Sequence, residues 1–333
     1  MANHLQRSFF QRIKETIPSH LSLADELAEC LNISLDSAYR RMRGEKPIDF
    51  EELAKLAVHF KISLDQFLHL SSDSILFTDR SLQTTGQQQF DLYLKALIQD
   101  LSHMNSFEQK KMYYLNKDVP IFYHFMYPEL AAFKCFFWMR SITHDPAYAK
   151  EKFSLDKYMN AFTDESRKIS HLYASIPSIE IWNIESINST IRQIEYYKDT
   201  HVFAYQKEIK PIYESLIKVI DRIEQSAEVG QKLLEQKGAI HAGASYEVYV
   251  NEFILGDNTI LVQLDETKAV YLNHAVHNYM LTTEPRFCAF TEEHLQNIIK
   301  RSVPLSRVNE KERTRFFNRN REKVYNRLEA LRL

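Results

Sequence analysis

Four basic side chains, Arg40, Arg41, Arg43 and Lys46, crowd into one short stretch of this 333-residue chain. Small hydrogen-bonding residues, Ser34, Asp36 and Ser37, stand just ahead of them. Cations neutralise phosphates, and a short polar side chain beside an arginine can reach the edge of a base, so the pattern points to nucleic-acid recognition rather than covalent chemistry. The sequence contains no HExxH, Cys-x-x-Cys, GxGxxG or P-loop motif, so no catalytic or metal-binding residue is singled out and no cofactor is expected. Cys30, Cys135 and Cys288 lie far apart without metal spacing, as expected of structural thiols in a reducing cytoplasm.

The basic stretch needs a helix to present it. Ser34 can cap a helix over SLDSAYRRMRGEK, and a rotation of about 100° per residue groups Leu35, Ala38, Tyr39 and Met42 on the packed side. Asp36, Ser37 and Arg40 then face outward, with Arg41 and Arg43 on the flanks and Gly44 as a stop. Upstream, Ser22 caps SLADELAECL, and Asn32 supplies a left-handed turn with Ile33 beside it as a core plug. Downstream, Asp49 with Glu52 and Ser63 with Gln66 form two capping boxes ahead of apolar faces, and Ile-Ser-Leu-Asp occurs twice, at 33–36 and 62–65.

Residues 23–68, LADELAECLNISLDSAYRRMRGEKPIDFEELAKLAVHFKISLDQFL, resemble a lambda-repressor-like helix-turn-helix domain of the XRE transcriptional regulators. The resemblance implies a helical bundle whose helix near 34–43 enters the major groove, in a dimer on a two-fold operator of double-stranded DNA. Its implied DNA-binding set here is Ser22, Ser34, Asp36, Ser37, Arg40, Arg41, Arg43 and Lys46. The sequence departs from the family at Asn32, where glycine is commoner, and at Arg41, which replaces an apolar core residue.

The net charge is only −2, so affinity for nucleic acid must come from local patches. Residues 1–70 hold nine Lys/Arg against ten Asp/Glu, and residues 300–333 hold eleven against four. The second concentration reads as an amphipathic terminal helix docked on its own domain, with an auxiliary DNA contact as the alternative. Six glycines, nine prolines and 44% apolar residues favour long helices around globular cores. The longest membrane-like run, 130–139, contains Lys134 and is too short to span a bilayer.

These patterns divide the chain into a DNA-binding unit over 1–70, a linker over 71–89, an aromatic-rich helical region over 90–175, and a sensing or dimerisation domain over 176–333. The expected class is mainly α, with an α-rich middle and an α+β C-terminal domain carrying a small antiparallel sheet. The middle region reads as aromatic core. An apolar pocket for a small-molecule effector, with His124, Arg140 and His144 as polar handles, is the functional alternative. A helix over 205–237, with Gly238 as its stop, carries Ile209, Tyr213, Leu216, Ile220, Ile223, Ala227, Gly230 and Leu234 at alternating spacings of four and three. Leu216, Ile220, Ile223, Ala227 and Leu234 are therefore candidates for a homodimer seam, unless the stripe packs inside its own chain.

Strands are expected at 176–183, 246–254, 259–265 and 268–273, and a helix at 292–301 capped by Thr291. This order faintly resembles the phospholipase-D-like domains fused to some regulators. None of His201, His241, His274, His277 and His294 has the lysine two residues on that hydrolysis there requires. Residues 90–333 are therefore expected to bind rather than catalyse. A ligand-free architectural or prophage-type repressor and a DNA-targeted phosphodiester hydrolase are the alternatives.

Overall fold

The computed structural model describes residues 2–331 apart from 19–20, 69–74, 80–86, 143–144, 237, 254–256 and 276–277. Five helices come first: α1 (Ala2–Thr16), α2 (Leu23–Leu31), α3 (Leu35–Met42), α4 (Phe50–His59) and α5 (Leu64–Leu68). Phe9, Phe10 and Ile13 of α1 join Leu23, Leu27, Ala38 and Leu56 in one small core, which makes α1 part of the unit. Of the expected linker, 75–79 and the helix from Gln87 are described. Thr78–Asp79 forms a two-residue strand, β1.

Helix α6 (Gln87–Asn105) follows, then β2 (Lys110–Leu115), α7 (Pro128–Ser141), α8 (Leu155–Tyr158), α9 (Thr163–Ala174), β3 (Ser178–Trp182), α10 (Asn188–Asp199) and α11 (Ile209–Val229). The last third holds β4 (Gln231–Gln236), β5 (Ala239–Val250), β6 (Thr259–Leu264), β7 (Thr267–Ala275), β8 (Asn278–Thr282), α12 (Pro285–Lys300), β9 (Val303–Pro304) and α13 (Glu310–Ala330). The fold is mainly α with a C-terminal α+β region, as expected. Its sheet is larger than expected and mixed: the order is β1-β8-β7-β6-β2-β3-β5-β4, with β9 on β5. At the centre β3 runs parallel to both β2 and β5, whereas β6 joins β2 antiparallel.

The central strand β3 is buried throughout. It carries Glu180, which is fully buried yet accepts hydrogen bonds from Tyr123 Oη (2.8 Å), Tyr246 Oη (2.8 Å), Trp182 Nε1 (2.7 Å) and Tyr173 Oη. Lys232 Nζ lies over the Tyr173 ring and donates to Ser178 Oγ and the Tyr173 carbonyl, both at 2.8 Å. Burial holds this amine well below the usual lysine range, against the pull of Glu180. The aromatic middle packs as core: Phe133, Phe136 and Phe153 are fully buried. Burying one such side chain contributes roughly 1.5–3 kcal/mol.

The structure corrects three expectations for the C-terminal half. The long helix ends at Val229, because Gly230 adopts φ +72° as its C-cap, and a Cβ there would lie 2.2 Å from Arg307 Nε. Leu234 consequently sits in β4, and Gly238 (φ +78°) lies between β4 and β5 instead of closing the helix. The proposed dimer seam is internal: Leu216, Ile220, Ile223 and Ala227 belong to the main core, where α11 meets α13, β4 and α7. An apolar stripe at this spacing is satisfied equally by a neighbour in its own chain. Helix α12 begins at Pro285, not at 292, since Glu284 accepts a hydrogen bond from the Phe287 amide (2.7 Å) and Pro285 suits the first turn.

The terminal basic helix is docked on its own chain. Arg321 Nε reaches Asp221 at 2.6 Å and its Nη2 pairs with Glu224, and Arg327 Nε reaches Glu195 at 2.9 Å. Among the described residues, no helix is long and apolar enough to cross a membrane. Lys134, inside the membrane-like run, is buried, donates to Gln193 Oε1 at 2.7 Å and lies 5.2 Å from the Trp138 ring.

Candidate nucleic-acid interface

The caps expected at Ser22, Ser34 and Asp49 form. Ser22 Oγ accepts from the Asp25 amide (3.4 Å), Ser34 Oγ from the Ser37 amide (3.3 Å), and Asp49 Oδ1 from the Glu52 amide (2.8 Å). Asn32 takes the left-handed conformation (φ 53°, ψ 53°) as the C-cap of α2. The amide of Ile33 donates to the Ala28 carbonyl at 3.0 Å and closes the turn. Of the second capping box, the Gln66 side chain lies outside the described residues. These local bonds set the angle between α2 and α3.

Helix α3 is rotated relative to its expected orientation. Arg41, expected on the flank of the exposed face and among the DNA contacts, is only 3% exposed. Its Nε and Nη2 donate to Glu52 Oε2 and Oε1 at 3.0 and 2.6 Å, and its Nη1 to Ser37 Oγ at 2.7 Å. The guanidinium thus occupies the core position that an apolar residue would fill, with Glu52 of α4 as its counter-ion. Ser37 is drawn half inward by the same contact, while Tyr39, expected in the core, is 47% exposed. Ser37 and Arg41 therefore brace α3 from within and do not belong to its outward face. The outward row is Leu35, Asp36, Tyr39, Arg40 and Arg43.

Behind that row the α3–α4 loop is tied to α1. Gln6 Nε2 donates to the carbonyls of Arg41 (2.7 Å) and Lys46 (2.8 Å), and its Oε1 accepts from the Ile48 amide (3.1 Å). Arg7 Nε donates to the Arg43 carbonyl at 2.7 Å and adds a cation to the patch. Periodicity carries no signal for either residue, because they act on a loop some forty positions away. Arg43 is gripped by Glu45, with Nε–Oε1 2.7 Å and Nη2–Oε2 3.1 Å, which raises the arginine's pKa and lowers the carboxylate's. The exposed patch thus gathers Arg7, Arg40, Arg43 and Lys46 against Asp36 and Glu45. Ser22 and Ser34 stand exposed at the N-termini of α2 and α3, where amide dipoles favour a phosphate.

Residues 11–101 match the BetR domain model. That domain is a DNA-binding, helix-turn-helix-like unit of transcription regulators, and over this span the chain is similar to it. The BetR-like segment runs past the five-helix unit into α6, whose Phe90, Leu94 and Leu101 lie in the large C-terminal core. No curated protein and no solved structure matches the chain.

Of the handles expected around an aromatic pocket, Arg140 and His124 are engaged by separate partners. Arg140 Nη1 donates to the carbonyls of Tyr148 (2.8 Å) and Glu151. His124 is buried with Nε2 3.3 Å from Thr190 Oγ1, and burial, then Lys134, holds its pKa well below the usual value. His144 lies outside the described residues. Ahead of α6, the BetR-like segment meets the C-terminal part of the chain where Arg12 Nη2 donates to the Thr283 carbonyl (3.3 Å), where the Phe77 ring packs edge-on against Phe287 (5.4 Å between centroids), and where β1 pairs with β8.

Proposed function

We propose that the chain is a sequence-specific transcriptional regulator of the XRE type, which reads a two-fold operator as a homodimer and whose residues 90–333 bind and assemble rather than catalyse. The observation that carries this reading is the outward row of α3, a rigid helix that offers Asp36, Tyr39 and Arg40 to base edges between cations suited to phosphates. Arg40→Ala should flatten the preference for operator over random duplex, because removing a bidentate hydrogen-bonded pair to a base costs about 1–3 kcal/mol of discrimination. Lys46→Ala should weaken both duplexes alike. An unchanged specificity ratio for Arg40→Ala would sink the assignment of the reading face.

With the α11 seam internal, the dimer needs another surface. Helix α4 leaves Phe50 (80% exposed), Ala54 and Val58 (79% exposed) in one row at four-residue spacing, flanked by exposed Glu51 and Lys55. A two-fold axis through Ala54 sets Phe50 against the partner's Val58 and leaves Glu51 and the partner's Lys55 on one flank within a turn of each other, so the row meets itself apolar to apolar and acid to base. Phe50→Glu with Val58→Glu sets like charges against each other across the axis and should give a folded monomer by light scattering. A variant that stays dimeric at wild-type concentrations refutes the α4 interface.

A further inference from the structure

We infer that a cavity of about 180 Å³ between α7, α9 and β4 is a binding site for an uncharged, single-ring molecule bearing one hydrogen-bonding group, and that this site regulates DNA binding. Phe125, Ala131, Phe162 and Leu234 supply apolar wall, and Ser166 and Ser170 of α9 supply the polar contribution. The two serines are four apart and so share one helix face. They are 8% and 7% exposed, and neither hydroxyl has a hydrogen-bond partner in the protein.

A buried hydroxyl without a partner is costly, and a serine in a helix normally satisfies itself on the carbonyl four residues back. This chain uses that device at Ser226 (2.7 Å to the Arg222 carbonyl) and at Ser302 (2.8 Å to the Ile298 carbonyl). Ser166 and Ser170 do not, and both line the same cavity. Its volume exceeds the roughly 150 Å³ of an engineered apolar cavity that holds benzene. Charge is confined to the rim, where Arg167 is 3.6 Å from Asp164 and Glu235 is 3.1 Å from Arg222, each paired away from the interior. The fitting ligand therefore has an aromatic or alicyclic body with a hydroxyl or amide directed at the serines.

The route from this site to DNA runs through α6. Asn105 Nδ2 donates to the Leu172 carbonyl at the end of α9 (2.9 Å), and residues 87–101 of α6 close the BetR-like segment. A ligand seated on Ser166 and Ser170 braces α9 against that helix. The regulatory role rests on the reading proposed above, but binding itself does not.

The test titrates the full-length protein calorimetrically with phenol and with benzene. Phenol should bind saturably and on the order of tenfold tighter than benzene, the worth of one or two good hydrogen bonds. Ser166→Ala with Ser170→Ala should erase that preference and raise the melting temperature of the ligand-free protein. Ala131→Met should fill the cavity and abolish binding of both probes. Absence of saturable phenol binding, or a phenol-to-benzene ratio unchanged in the double variant, overturns the site. Phenol binding that leaves duplex affinity unchanged overturns the regulatory role and leaves the DNA-reading assignment standing.

Discussion

Replacing Arg41 distinguishes a supporting arginine from one that touches DNA. The side chain is almost wholly buried, and its partner Glu52 is 19% exposed at the side chain, so the pair sits in a largely dry setting. Truncation to alanine strands the Glu52 carboxylate, frees Ser37 Oγ and opens a void, a combination that costs about 3–5 kcal/mol for a buried pair. Replacing both partners by leucine removes the stranded charge and should recover most of that loss. Urea denaturation of the single variants Arg41→Ala and Glu52→Ala and of the double leucine variant measures these terms. The second readout is the salt dependence of duplex binding, whose slope falls by about 0.9 for each phosphate that the protein no longer neutralises. The double leucine variant should bind duplex with the wild-type slope. A slope smaller by the equivalent of one phosphate in a well-folded double variant would show that Arg41 meets DNA and would refute the internal role argued from its bonds to Glu52.

Two further outcomes follow from the electrostatics. Glu45→Gln releases Arg43 from its bidentate grip and removes a negative charge from the patch. It should tighten binding to specific and random duplex alike and steepen the salt slope, and filter binding that shows no change would place the pair off the interface. Burial lowers the Lys134 pKa to about 7. Between that value and the ordinary lysine value of about 10.4, the unfolded chain holds a proton that the folded one sheds, so this residue's contribution to stability improves as pH rises through the window. The stability advantage of Lys134→Met over wild type should therefore shrink from pH 7.5 to pH 9.5 by up to about 1.4 kcal/mol per unit, and a pH-independent difference would mean that Lys134 stays charged inside the fold.

Which features were legible in the sequence follows from the distance over which each is decided. The caps at Ser22, Ser34 and Asp49 and the turn at Asn32 depend on partners within a few residues, and each forms where the residue types predict. The rotation of α3 is set by Glu52, eleven residues beyond Arg41, and an angular reading of one helix has no access to that partner. Strand β2 escaped notice because KKMYYL becomes a strand by pairing with β3 and with β6, more than sixty and more than a hundred residues further on. Gly230 reads as a position in the apolar seam and Gly238 as the helix stop, yet the fold stops the helix at Gly230 because β4 must turn back onto β5. The cavity beside Ser166 and Ser170 left no mark in the sequence, since buried serines look like surface serines until α7 and β4 close over them.

The two residues of β1 determine where this molecule can be divided. Strand β8 would otherwise be the outermost strand on its side of the sheet, with open amides and carbonyls ready to template another chain. Thr78 and Asp79 cover it opposite Leu281 and Met280, and they lie between the five N-terminal helices and α6. A cut placed just after the helical unit leaves that guard on the C-terminal fragment, whereas a cut at the start of α6 strips it away and leaves a sheet margin prone to self-association. The connecting segment thus acts as a selvedge for the sheet as well as a tether, and fragments for solution work should begin ahead of Thr78.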